Sequence, residues 1–163
     1  MTDASIPTRL ALGAAGGFAG TLALQGLMTA AGKAMPQTTP SIRQDPGGFM
    51  VEKAESVPPD AARGRVPDAV ESAAAGALAV GYGLAFGSLY GALRPRGGNS
   101  LTDGAILGVA CWAAGYAGWL PALGLMPPVW RQKLPQSVAP VVEHVGFGIV
   151  TVAAYKWLRE RMG

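Results

Sequence analysis

One cysteine and one histidine, Cys111 and His144, are all that the sequence contains of these two residue types. A lone thiol makes no intrachain disulfide and says nothing about the redox compartment, so Cys111 reads as a small packing residue inside an apolar segment. One His and one Cys furnish neither a four-ligand zinc site nor an intrachain bis-His haem, so no metal and no cofactor are expected. There is no Walker loop, no GxGxxG and no Ser-His-Asp arrangement; Gly13, Gly16 and Gly20 form a packing pattern with no strand ahead of it. Catalytic residues are therefore not expected. Charge is scarce too, at 14% of residues with a formal net charge of +3. Nucleic acid requires a dense basic face, and none is present here.

What the sequence has instead is apolar length and glycine. Half of the residues are apolar, and 24 of 163 are glycine, about twice the usual share of roughly 7%. A helix needs about 20 mostly apolar residues to cross a hydrocarbon layer of roughly 30 Å, and segments 10–31, 72–93, 101–120 and 137–157 meet that length. Within lipid the backbone must satisfy its own hydrogen bonds, which makes such segments helical. The expectation is an all-α polytopic membrane protein, a single four-helix domain over 1–163. The first segment reads as a retained helix and not a cleaved signal peptide, because Asp3 lies ahead of it and the apolar run exceeds a typical signal core.

The segments come in matching pairs. Gly17-Phe18-Ala19-Gly20 with Leu22 and Gly26-Leu27-Met28 recurs as Gly115-Tyr116-Ala117-Gly118 with Leu120 and Gly124-Leu125-Met126. Val80-Gly81-Tyr82-Gly83 with Tyr90, Leu93 and Arg94 recurs as Val145-Gly146-Phe147-Gly148 with Tyr155, Leu158 and Arg159. Two tandem helical hairpins follow, with a rough twofold axis along the membrane normal. Arg9, Arg94, Arg96, Lys156, Arg159 and Arg161 fall on one compact side, which the positive-inside rule makes cytoplasmic, with both termini. Some of that charge is available to anionic lipid headgroups.

Between helices in lipid there is little hydrophobic drive, so small residues must let the backbones approach. Gly13, Gly17 and, one residue over, Gly20; Gly83, Gly87 and Gly91; Gly104 and Gly108; and Gly148 are the expected packing positions. The first outer loop, 33–71, turns to proline and charge, as in Val57-Pro58-Pro59-Asp60. Asp45-Pro46 inside it has the form of an N-cap followed by proline at the first helical position. Met50, Ala54 and Val57 then share one face of a short amphipathic helix that either lies over the bundle or stands free.

Glu143 and His144 break the match between halves, and His144, Gly148, Thr151 and Tyr155 form a weakly polar stripe at helical spacing. Counted from Ser137, His144 sits roughly 10 Å along its helix. Glu143, His144, Thr151 and Tyr155, with Arg131 nearby in the preceding loop, are the candidate polar site. A Glu in this position is also favoured by the helix dipole, and a single His is commonly an interhelical hydrogen-bonding group. Trp119, Trp130 and Trp157 suit the water–lipid boundary.

The stretch Gly124-Leu125-Met126-Pro127-Pro128-Val129, through Leu134-Pro135 to Glu143-His144, resembles the YagU-type family of small bacterial inner-membrane proteins. There a glycine-leucine and proline-proline loop leads into a final helix bearing a histidine near its start. The resemblance implies an inner-membrane helical protein with no settled molecular activity. Two functions fit the sequence. One is a noncatalytic packing or accessory component that associates with membrane lipid, with itself as a homo-oligomer, or with a larger membrane complex. The other is a small transporter, channel or proton-linked envelope-stress component that uses the His144 face, since a histidine changes charge near neutral pH.

Overall fold

Ser5 accepts a hydrogen bond from the Thr8 amide and Pro7 occupies the first turn, so the first helix starts earlier than its apolar run. In the computed structural model, which describes residues 4–44, 46–55 and 68–162, the elements run α1 (Ile6–Ala34), a 3-10 turn (Pro36–Thr38), α2 (Pro46–Glu55), α3 (Asp68–Leu93), α4 (Ser100–Trp112), a π-helical turn (Ala113–Trp119), α5 (Leu120–Ala122), a second 3-10 turn (Val129–Arg131) and α6 (Leu134–Met162). The described residues contain no strand. Four helices are long and apolar enough to cross a membrane: Ile6–Ala34, Ser72–Leu93, Ser100–Ala122 and Leu134–Met162.

Asn99 caps α4 through the amides of Leu101 and Thr102. The third long helix runs on from α4 through the π-helical turn and α5 to Ala122, and the chain reverses at Gly124, whose φ of 76° suits glycine alone. α6 begins at Leu134, three residues before the expected Ser137, because Pro135 is tolerated in a first turn. That places His144 about 15 Å along α6 instead of about 10 Å. α2 begins at Pro46, as the sequence suggests; Asp45, Val57 and the Val57-Pro58-Pro59-Asp60 run lie outside the described residues.

The long helices pack in the order α3, α1, α6, α4. Each close seam is made by glycine. A methyl group added at Gly13 or Gly17 would fall on the carbonyl oxygen of Gly87 or Gly83, and one at Gly91 on that of Arg9. Gly16 and Gly20 of α1 lie against Thr151 and Phe147 of α6. Gly104 and Gly108 of α4 lie against Gly148, Ile149 and His144 of α6. The pairings run antiparallel, since rising numbers on one helix meet falling numbers on the next. α3 and α4, which complete the ring, barely touch.

The two matched helix pairs do not cross at matched points. Gly83 meets Gly17, whereas its counterpart Gly148 meets Gly104 and Gly108; the sequence match would put Gly115 there. Compared at the nearest carbonyl, Gly17 in the first pair and Gly104 in the second, α4 is displaced along α6 by roughly 16 Å, eleven residues at 1.5 Å each, and Gly115 is left free of α6.

Two apolar clusters fill the interior. Leu12, Tyr90, Leu107, Val152 and Tyr155 bring all four long helices together, with Phe86 and Leu158 at the edge. Tyr116, Leu120, Leu125 and Met126 form the other, beneath Phe49 of α2, Trp112 and Trp119. The described residues 39–43 of the outer loop are tied to the bundle. The Arg43 amide donates to Leu125 O, Ser41 to the Gln136 side chain, and the Gln136 amide group to Thr39 O.

Candidate functional site

α3 and α4 are held together at one end and apart at the other. At the held end Asp103, in the first turn of α4, is 7% exposed and accepts from both Arg94 nitrogens, Nε at 3.0 Å and Nη2 at 2.7 Å, and from the Tyr90 hydroxyl at 3.0 Å. A bidentate guanidinium–carboxylate pair fixes orientation as well as charge. The bonds to Asp103 and its negative charge hold Arg94 further above its already high pKa. Tyr90 also accepts from the Gly98 amide and meets Tyr155 edge to face at 5.4 Å. Tyr155 in turn donates to the carbonyl of Arg94 at 3.4 Å. The short connection between α3 and α4 is thereby fastened to α6.

At the other end the helices enclose a cavity of about 580 Å³, with α1 and α6 behind it and Ile42 and Pro46 of the outer segment at its mouth. Leu24, Met28, Leu78, Val80 and Phe147 make most of its surface apolar. The polar groups come from Thr21, Gln25, Ser72, Tyr82, Tyr116, Trp119 and His144. Among the described residues that line it, none is Asp, Glu, Lys or Arg.

The π-helical turn builds one wall. Its i→i+5 bonding, seen in the Leu120 amide donating to Gly115 O, widens the helix where Gly115, Tyr116 and Trp119 face the cavity. Single π turns inside α-helices recur at functional sites. Across the cavity the Tyr82 hydroxyl donates to Cys111 O at 3.3 Å, with the Trp119 indole beside it.

His144 is 7% exposed, and its Nδ1 lies 2.7 Å from Pro140 O. A carbonyl only accepts, so Nδ1 carries the proton and Nε2 of the neutral ring offers a lone pair. The Tyr116 ring packs edge to face on His144 at 5.5 Å and is 8% exposed. Neither Nε2 nor the Tyr116 hydroxyl has a hydrogen-bond partner among the described residues.

The expected polar site is thus divided. His144 reaches the cavity; Glu143 is half-buried outside its lining, and Arg131 is exposed on the second 3-10 turn. Below His144 the polar stripe is packed closed: Thr151 is fully buried and donates to Phe147 O at 2.8 Å, and Tyr155, also fully buried, serves the connection at the other end. Trp130 is largely exposed, Trp157 is half exposed under Arg161 at 4.1 Å, and Trp119 belongs to the cavity wall. All nine glycines named as packing positions stand where a side chain would overlap a neighbouring helix.

Sequence reasoning missed Asp103, Tyr116 and Tyr82. An acid inside an apolar span was a visible signal for the first; the two tyrosines stood in the matched motifs without anything to single them out. No family model, no curated protein and no solved structure matches this chain.

Proposed function

We propose that the chain is a noncatalytic multi-pass protein of the bacterial inner membrane that accepts a lipid-like molecule sideways between α3 and α4. The carrying observation is the cavity itself: apolar, uncharged along its described lining, and placed at the one seam that glycine packing leaves open. Its volume falls in the range of roughly 300–1,000 Å³ typical of ligand pockets.

The bilayer setting rests on exposed apolar surface. Phe18, Leu22, Leu27, Leu89, Ile106 and Val142 are all exposed, and only 11% of the apolar window of α3 is buried. A helix that is apolar all round and mostly uncovered is suited to lipid. Arg9 lies against Gly91, and the Lys156 side chain against Gly97, so the compact basic groups gather at one end of the bundle. This supports tandem hairpins with both termini cytoplasmic. The resemblance of the C-terminal region to the YagU-type family points to the same membrane.

The closed stripe below His144 favours holding a molecule over passing one across. The test is purification in native-lipid discs followed by mass measurement of the released complex. The wild-type protein should carry a reproducible added mass of lipid size, and Gly115→Leu, which fills the cavity where the nearest neighbours are Tyr82 and Trp119, should remove it. An added mass that survives Gly115→Leu, or none in the wild type, rejects the proposal. The same spectrum reports the number of protomers and any retained partner.

A further inference from the structure

Two polar side chains more than nine-tenths buried face the cavity without partners, and their chemistries differ. His144 Nε2, with Nδ1–H given to Pro140 O, can only accept; the Tyr116 hydroxyl can donate or accept. A buried polar group left unpaired is costly, so the occupant should supply both what His144 lacks and what Tyr116 offers. From this pair we infer that the cavity selects an uncharged amphiphile by its hydroxyl group, which donates to His144 Nε2 and accepts from Tyr116. The inference rests on the lipid-binding reading and names its ligand class.

The alternatives fail on the inventory of donors. A carbonyl or ester oxygen satisfies Tyr116 but leaves Nε2 unpaired. A carboxylate or phosphate also brings only acceptors, together with a charge that no described lining residue compensates. An ammonium would donate to Nε2 but meets no described carboxylate in the lining. A hydroxyl on an apolar tail meets both needs without charge, donating and accepting through a single oxygen. Leu78, Met28 and Phe147 then receive the tail. Two membrane sources share this chemistry, prenyl alcohols and diacylglycerols.

The experiment uses the full chain in phosphatidylcholine discs with tritiated farnesol as the probe, competed by farnesol, by farnesyl methyl ether, by farnesoic acid and by dioctanoylglycerol. Farnesol should compete about tenfold better than its methyl ether, the loss expected for one hydrogen bond and an unpaired acceptor. Farnesoic acid should compete no better than the ether. His144→Phe and, separately, Tyr116→Phe should bring alcohol and ether to within about twofold of each other. Tyr116→Phe keeps the ring that packs on His144, so it remains informative if the His144 variant fails to assemble. Dioctanoylglycerol competing more strongly than farnesol assigns the hydroxyl to a glyceride, and the reverse to a prenyl alcohol; both support the inference. Equal competition by alcohol and ether overturns it, and if Gly115→Leu still abolishes the label, the lipid-binding reading survives. Absence of displaceable label in the wild type, with lipid retained in the discs, overturns the hydroxyl preference alone. No label and no retained lipid removes both.

Discussion

Three seams of the bundle and the fourth are made by different means. Between α1 and α3, α1 and α6, and α4 and α6, glycines let backbone rest on backbone. Between α3 and α4 there is instead an ion pair at one end and a cavity at the other. The contrast shows how a small membrane protein can keep a binding space within a tightly packed bundle. Glycine contact is short-ranged and unforgiving, so it fixes three helix pairs outright. The remaining pair is located by an anchored connection at one end and the Tyr82–Cys111 hydrogen bond across the cavity, and the gap that opens away from the anchor is available to a ligand.

The contrast breaks most severely at the glycine seams. Gly87→Leu inserts a branched side chain where even a methyl group would overlap the Gly13 carbonyl and the Gly17 backbone. Overpacking of this kind typically costs about 1–3 kcal/mol, with the upper end expected where backbone must move. The variant should lose its monodisperse peak in detergent size-exclusion chromatography or show a sharply lowered thermal midpoint. Gly76→Leu is the control across the open seam. Nothing lies within 4 Å of a Cβ at Gly76, so that variant should assemble. If both behave alike, the distinction between close and open seams is wrong.

Next in size is release of the anchor. Asp103→Asn removes the charge that Arg94 and Tyr90 both address. The Arg94 side chain is 56% exposed, so water screens much of the pair, and the expected loss is smaller than at Gly87. The variant should remain assembled with a reduced thermal midpoint, and an engineered cysteine at Leu101, near the anchored end, should label faster. Arg94→Gln should act similarly, and Asp103→Asn combined with it should cost less than the sum of the two. Additive losses would show that the two residues do not work as a unit.

These residues also mark how far the sequence was readable. The four long apolar stretches and the nine glycines were legible because both are local patterns, a length and a spacing by four. Their partners were not, since a glycine stripe states that something approaches closely but not what. The start of α6 moved because the expected segment counted only the apolar run from Ser137, whereas proline fits the first turn of a helix and lets it begin at Leu134. Asp103 and Arg94 meet across a short connection, a contact to which helical periodicity is blind. The cavity was least legible of all. It follows from the displacement of α4 along α6 by roughly 16 Å and from the π-helical turn, and both arise from packing over the whole bundle. His144 was recognisable as the one imidazole in the chain, but the ring packed on it is that of Tyr116, while Glu143 and Arg131 stand outside the cavity lining.

A gentler change tests the open seam alone. Gly115→Leu should leave the unfolding free energy of the delipidated protein within about 0.5 kcal/mol of wild type, since the nearest atoms to an added Cβ are the Tyr82 hydroxyl at 3.8 Å and the Trp119 Nε1 at 4.0 Å. Its effect should appear only when lipid is present. Wild-type protein should gain stability on adding back the extracted lipid, as expected for binding to the folded state alone, and the variant should gain none. A variant that gains as much as wild type would mean that the stabilising lipid sits on the outer surface and not between α3 and α4.

The smallest effect concerns a glycine that belongs to neither kind of seam. Gly81 is exposed on α3 with nothing within 4 Å of an added Cβ, so it contributes to no close approach and only lowers helix propensity. Gly81→Ala should stabilise by up to about 1 kcal/mol, read as a small rise in thermal midpoint, and should leave lipid retention unchanged. Gly83 is two positions along the same helix, but a Cβ there would overlap the Thr21 hydroxyl, and Gly83→Ala should destabilise. Opposite signs from two glycines so near in sequence would separate intrinsic propensity from contact on the same turn of helix, because both substitutions add the same methyl group. Equal signs would mean that α3 and α1 are not in backbone contact along this face, and the close seams would lose their defining member.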